Sequence, residues 1–131
     1  MTDQDIIKRY LGVPYKLYGR DMDGLDCYGL IINIYKEIGI ELLDIENYPQ
    51  DWALKGGNYF IENYHKQWEQ INTPKLLDVI GLKNGRGLFN HAGIILDSER
   101  FIHTSKVGTA VARIADWKDK IVGFYRLKGN E

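Results

Sequence analysis

The sequence is poor in cysteine: Cys27 is the single thiol in 131 residues. One thiol cannot close an intrachain disulfide, which excludes a disulfide-stapled scaffold. Charge of one sign is also lacking. Seventeen Lys and Arg oppose eighteen Asp and Glu, a formal net charge of −1, so no sequence-wide field draws the chain to nucleic acid or to an anionic membrane. No apolar run approaches the ~18 residues that span a bilayer, and membrane insertion is not expected. The opening MTDQDIIKRY carries neither the basic nor the apolar stretch of a signal peptide. Repeats, low-complexity tracts and Pro/Gly/Ser-rich linkers are missing as well. What is there suits a folded unit: a 44% hydrophobic chain of this length can bury a core, and the expectation is one domain over residues 1–131.

The first third reads helical. Thr2 and Asp3 can cap an opening helix whose Ile6, Ile7, Tyr10 and Leu11 form an apolar face ending at Gly12. A loop follows through Leu25, carrying Pro14, Gly19 and Gly24. Asp26 is a good N-cap, and Cys27, Ile31, Ile34, Tyr35 and Ile38 then fall on one helical stripe stopped by Gly39. In the middle of the chain, NYFIENYHKQW (58–68) reads as a helix through Phe60, Ile61, Tyr64 and Trp68, serving as core support. From Lys75 the pattern turns to short strands near 76–82, 88–96, 100–104, 109–114 and 121–127, with a loop at 83–87. Helices first and antiparallel strands afterwards argue for an α+β fold.

Cys27 falls in the first turn of its helix, where unsatisfied N–H groups and the helix dipole favour an anion. A thiol there is expected to have a lowered pKa, and the same N–H groups are suited to a developing oxyanion. A thiolate nucleophile needs a base, and the chain has three histidines. His65 sits among Asn63, Lys66 and Gln67 and reads as a solvated surface residue. His91 and His103 fall inside strand-like runs, FNHAGIIL and RFIHTS, on either side of a tight turn.

Strand register decides whether these two imidazoles meet. A two-residue loop at Ser98-Glu99 would place His103 opposite Ile94, facing away from His91. A three-residue loop, Asp97-Ser98-Glu99, places it opposite Gly93, on the face of His91 and diagonal to it. The catalytic reading requires an odd-length loop or a bulge. With it, Cys27 attacks a carbonyl, His91 holds the proton, and His103 bonds the far nitrogen of His91 and fixes its tautomer. Ala92 and Gly93 are small enough to let the helix N-terminus approach the sheet. Three ligands scattered over the chain, without a Cys-x-x-Cys or His-x-x-x-His pair, fit zinc poorly, so neither metal nor cofactor is expected.

The stretch GVPYKLYGRDMDGLDCYGLIINIY resembles the nucleophile region of the NlpC-type cell-wall peptidases, G-x-P-Y, a Gly-rich loop and D-C-S-G-L. NHAGIIL is similar to that family's H-V-G-I-Y-L strand, FIHTSKVGTAV to the next strand, and LLDVIGL stands at its G-D-L-V-x-F. The resemblance runs from about Ile6 to Ile114. It implies a papain-like α+β fold, with the nucleophile helix packed on an antiparallel sheet, and a thiol hydrolase acting on peptidoglycan stem peptides, commonly between D-γ-glutamate and a diamino acid. Carried over, Cys27 is the nucleophile, His91 the base and His103 the orienting residue. Tyr15, twelve residues before Cys27, would line the oxyanion and substrate side. Asp26 would contact a substrate amino group, cap the helix, or do both. Tyr28 replaces the family's serine beside the substrate. The form D-C-Y-G-L looks like phage and prophage members, and no targeting repeat accompanies it. These features imply a virion-carried or lysis-released enzyme with phage tail proteins as partners. The alternatives are a non-catalytic tail or assembly protein of the same fold, and a thiol amidase or acyltransferase on another substrate.

Overall fold

A computed structural model describes residues 1–42, 68–83 and 89–128, with Phe89 and Asn90 described by their backbone alone. Helix α1 spans Asp3–Tyr10. The Thr2 hydroxyl accepts from the Asp5 N–H, and the Asp5 carboxylate accepts from the Thr2 N–H, a reciprocal capping box. Ile6 and Tyr10 face inward. Leu11 does not: it is 56% exposed, because the backbone leaves the helix there and turns through Gly12 at φ +86°.

A short hairpin follows, β1 (Arg20–Asp21) and β2 (Gly24–Leu25), which the sequence reading had left inside a loop. It is fastened to the next helix by Asn33, whose side-chain amide donates to the Arg20 carbonyl at 2.9 Å. The approach is close enough that a Cβ at Gly29 would lie 2.0 Å from the Gly19 carbonyl oxygen, so only glycine fits.

Helix α2, Cys27–Glu37, begins where expected, with the Asp26 carboxylate accepting from the Gly29 N–H at 2.7 Å. Its buried face is wider than the expected stripe, since Tyr28 and Leu30 are buried along with Ile31, Ile34 and Tyr35. Gly39, at φ +84°, follows the C-cap Ile38. Tyr10 ties the helices together by donating its hydroxyl to Glu37 at 2.7 Å.

Six antiparallel strands form the sheet in the order β3-β8-β4-β5-β6-β7. They are β3 (Trp68–Ile71), β4 (Val79–Lys83), β5 (Phe89–Ile95), β6 (Arg100–Ser105), β7 (Gly108–Arg113) and β8 (Ile121–Leu127). A 3₁₀ helix, Ile114–Lys120, joins β7 to β8. Trp68 belongs to β3, opposite Leu127, and not to the end of a helix. Its ring packs edge-on to Tyr35 and is 4% exposed, burial that a strand position supplies as well as a helical one. The rest of 58–68, His65 included, and the loop residues 84–87 lie outside the described residues. Strand β4 starts later than expected because Leu77 takes a left-handed φ of +78°. Beside it the buried Asp78 accepts two hydrogen bonds from the Arg126 guanidinium, at 3.0 and 2.7 Å.

Both sheet faces are covered. On one, Val79, Ala92, Ile94, Leu96 and Ile102 pack against Ile6, Tyr10, Leu30, Ile31, Ile34 and Tyr35 of the helices, where each fully buried aliphatic side chain contributes about 1.5–3 kcal/mol. On the other, Ile80, Leu82, Ile95 and Phe101 meet partly buried Ile114, Trp117, Ile121 and Phe124. The architecture is α+β, with the Cys27 helix on an antiparallel sheet, as the sequence implied. Among the described residues no helix is long and apolar enough to cross a membrane.

Candidate active site

The β5–β6 turn settles the geometry of the two histidines. Ile94 pairs with Ile102 and Ile95 with Phe101, and the Leu96 N–H donates to the Arg100 carbonyl. This is the three-residue loop 97–99. Asp97 builds it, accepting from the Glu99 and Arg100 N–H groups at 2.8 Å each, an Asx turn that a shorter loop could not hold. In this register His103 stands across from Gly93. His91 Nε2 and His103 Nδ1 are 2.7 Å apart, their rings 5.0 Å apart at 66°.

Gly93 makes the meeting possible. A Cβ there would lie 2.7 Å from the Ile102 carbonyl oxygen and 3.1 Å from His103 Cβ. Its missing side chain therefore admits β6, not the helix N-terminus as the sequence reading had it. Gly123 of β8 is similarly confined, between the Gln70 amide and the Tyr125 hydroxyl.

Cys27 reaches the sheet at β5, where the backbone N–H groups of Ala92, one residue past His91, and of Tyr28 favour the ionised form of its thiol. The direction of the Ala92 N–H follows from the ladder. Ile95 exchanges its backbone bonds with Leu77 and Asp78 next to β4, while Leu96 donates toward β6. By alternation the Ala92 N–H points to the β6 side. The β5–β6 pairs stop at Ile94 and Ile102. The thiol thus lies near an amide released where two strands part, and the imidazole pair spans the same gap.

The sequence placed this thiol in a setting that lowers its pKa. The structure reverses that expectation: burial pushes Cys27 up to about 12, helped by the Asp26 carboxylate, and the Ala92 and Tyr28 amides and Arg20 offset only part of the rise. Loss of solvation here outweighs the helix terminus. Burial likewise lowers His91 to about 3, with His103 adding to the effect, and lowers His103. These shifts favour the neutral thiol and neutral imidazoles, although Cys27 and His91 each keep part of their surface exposed.

Around them, Tyr15 bridges to Leu25 in the loop before the helix, and its phenol is held protonated by burial, then by Asp26 and Cys27. Asp26 caps α2, accepts from the Tyr18 N–H at 3.0 Å, and pairs with Arg20 at 2.8 Å; its side chain is only 6% exposed. Burial raises its pKa, against the pull of these donors. The carboxylate therefore faces the protein. Tyr28, expected on the substrate side, has its ring in the helix-side core, 7% exposed, with the Arg20 guanidinium 5.5 Å from the ring centroid. Two contributors escaped sequence reading. Arg20 lies in a hairpin too short to show periodicity, and Trp117 packs edge-on to His103 at 5.1 Å from a 3₁₀ segment without an apolar pattern. Among the described residues no three His, Cys, Asp or Glu side chains gather as a metal site.

A cysteine at the start of a helix, packed on an antiparallel sheet with paired strand histidines, defines the papain-like α+β class. Within it, the NlpC/P60 family profile matches residues 12–126, and the chain belongs to that family. A Staphylococcus aureus protein described as similar to a lipoprotein of the NLP/P60 family superposes with a TM-score of 0.68 at 22% identity, over 98% of this chain and 41% of that one. A Bacillus cereus NlpC/P60 family protein gives 0.67 at 20%, over 96% and 40%. The NlpC/p60 domain of the peptidoglycan hydrolase SagA gives 0.60 at 20%, over 95% and 94%. The chain thus spans about two fifths of the first two structures, and these likenesses concern the fold. No curated protein sequence matches.

Proposed function

We propose that this chain is a cysteine peptidase that hydrolyses an amide bond in peptidoglycan stem peptides, with Cys27 as nucleophile, His91 as base and His103 as orienting residue. The observation that carries this reading is the 2.7 Å contact between His91 Nε2 and His103 Nδ1, on the strand whose next amide favours the ionised form of the Cys27 thiol. Because Nε2 of His91 is committed to His103, Nδ1 is the nitrogen left for the thiol proton. The proton moves to Nδ1 as Sγ attacks the carbonyl carbon. The carbonyl oxygen becomes an oxyanion, facing the backbone at the start of α2 and the Tyr15 phenol. Collapse breaks the C–N bond while His91 returns the proton to the leaving amine. Water, deprotonated by the same His91, then attacks the thioester, releasing the acid and restoring the thiol.

Family membership and the SagA domain, itself part of a peptidoglycan hydrolase, support the wall as substrate. The bond between D-γ-glutamate and a diamino acid is the one we assign, on the resemblance of GVPY and D-C-Y-G-L to NlpC-type peptidases. The D-C-Y-G-L form also supports a phage or prophage enzyme, carried on the tail or freed by lysis. Digestion of purified peptidoglycan with the wild-type chain, followed by mass spectrometry of released fragments, tests the activity. Muropeptides are expected from the wild type and none from Cys27→Ala. Equal release by both, or by neither, overturns the assignment.

A further inference from the structure

A neutral imidazole carries one N–H and one lone pair, so the His91–His103 contact admits two arrangements. In the first, His91 donates from Nε2, His103 accepts at Nδ1 and keeps its own proton on Nε2; Nδ1 of His91 is then a lone pair. In the second, His103 donates from Nδ1, its Nε2 is a bare lone pair, and the His91 proton sits on Nδ1. Only the first leaves His91 able to accept a proton from Cys27.

What selects between them is the environment of His103 Nε2. The residue is 7% exposed, and its ring neighbours besides His91 are Phe101, at 5.0 Å and 53°, and Trp117, at 5.1 Å and 82°. Among the described residues the one hydrogen bond of the His103 ring is the contact it shares with His91. Trp117 is itself held edge-on to Phe101 at 5.9 Å, with the Lys120 ammonium 5.3 Å from its ring. An N–H directed at an aromatic ring retains a weak attraction, whereas a buried lone pair there retains none.

We propose that Trp117 is a positioning residue that sets the tautomer of the histidine pair: packed edge-on to the His103 ring, with Phe101 as the other aromatic neighbour, it disfavours a bare lone pair on Nε2, keeps the proton there and makes His91 the donor. The tautomer follows from the packing alone; its catalytic consequence rests on the hydrolase reading above. Nuclear magnetic resonance of the whole chain labelled with ¹⁵N-histidine, without substrate, reads the tautomer directly. The wild type is expected to show His103 protonated at Nε2 and unprotonated at Nδ1. Trp117→Leu should shift the proton toward Nδ1, and Trp117→Phe should preserve the wild-type pattern. On peptidoglycan, Trp117→Leu should lose kcat by on the order of ten- to a hundredfold with KM little changed, as for a misoriented base. A wild-type His103 protonated at Nδ1 overturns the proposal, as does an unchanged tautomer in Trp117→Leu. Should that variant not fold, the wild-type and Trp117→Phe spectra decide it. Failure of the hydrolase reading would appear instead as absent turnover with the spectra as expected.

Discussion

The two faces of the sheet are built differently. The helix-side face is closed by fully buried aliphatic and aromatic side chains from α1 and α2. Among the described residues the opposite face has four buried hydrophobic side chains and a border of partly buried ones brought by β7, the 3₁₀ helix and β8. His103 stands on that second face beside Phe101 and Trp117, while Cys27 arrives with the helix of the first. The thick face fixes the nucleophile through packing. The thin face sets imidazoles through register and ring contacts, where a small displacement costs little stability but disconnects the pair.

The largest expected effect separates chemistry from packing. Cys27→Ala and His91→Ala should each reduce peptidoglycan hydrolysis by roughly a thousandfold or more, measured as muropeptide release, with melting temperatures close to wild type. The next compares the faces directly. Ile34→Ala, on the helix side and fully buried, should cost about 2–5 kcal/mol in urea unfolding. Ile114→Ala, at the half-buried border of the second face, should cost less than half of that; equal losses would break the comparison. Gly93→Ala should cost about 1–3 kcal/mol by overpacking, yet reduce turnover far beyond that loss, because the added Cβ meets the β6 backbone.

The last expected effect is on pH. Burial lowers both imidazole pKa values, so the unfolded chain binds protons that the native chain refuses. Stability should therefore be full above the unfolded value of about 6.5 and fall as pH drops below it, by up to about 1.4 kcal/mol per pH unit for each histidine. For His91 this continues toward about 3. Thermal unfolding across pH 7 to 5 measures it, and His91→Ala should flatten the slope.

Much of the first face was legible because helices announce themselves. Asp26 as a cap, the spacing from Ile31 to Tyr35 and the stop at Gly39 all coincide with α2. The histidine register was legible by parity: counting residues across Asp97-Ser98-Glu99 leaves one loop length that brings the rings together, and the structure has it. Other features carried no such signal. Two-residue strands have no period, so the hairpin holding Arg20 against Asp26 stayed hidden. Trp68 fits the apolar spacing of a helix and the alternation of a strand equally, and pairing with Leu127 decided the matter. The thiol's pKa was misread because position at a helix start is written in the sequence while depth of burial is not. Tyr28 was placed on the substrate side by its neighbourhood to Cys27, although the helical turn directs its ring into the core.

The central claim is that His91 activates a thiol which burial otherwise keeps protonated. Alkylation of Cys27 by iodoacetamide at pH 7, followed by intact-mass spectrometry in the wild type and in His91→Ala, tests it most directly. The account predicts a rate in the wild type at least about tenfold higher than that without the imidazole. Equal rates in the two proteins would contradict it.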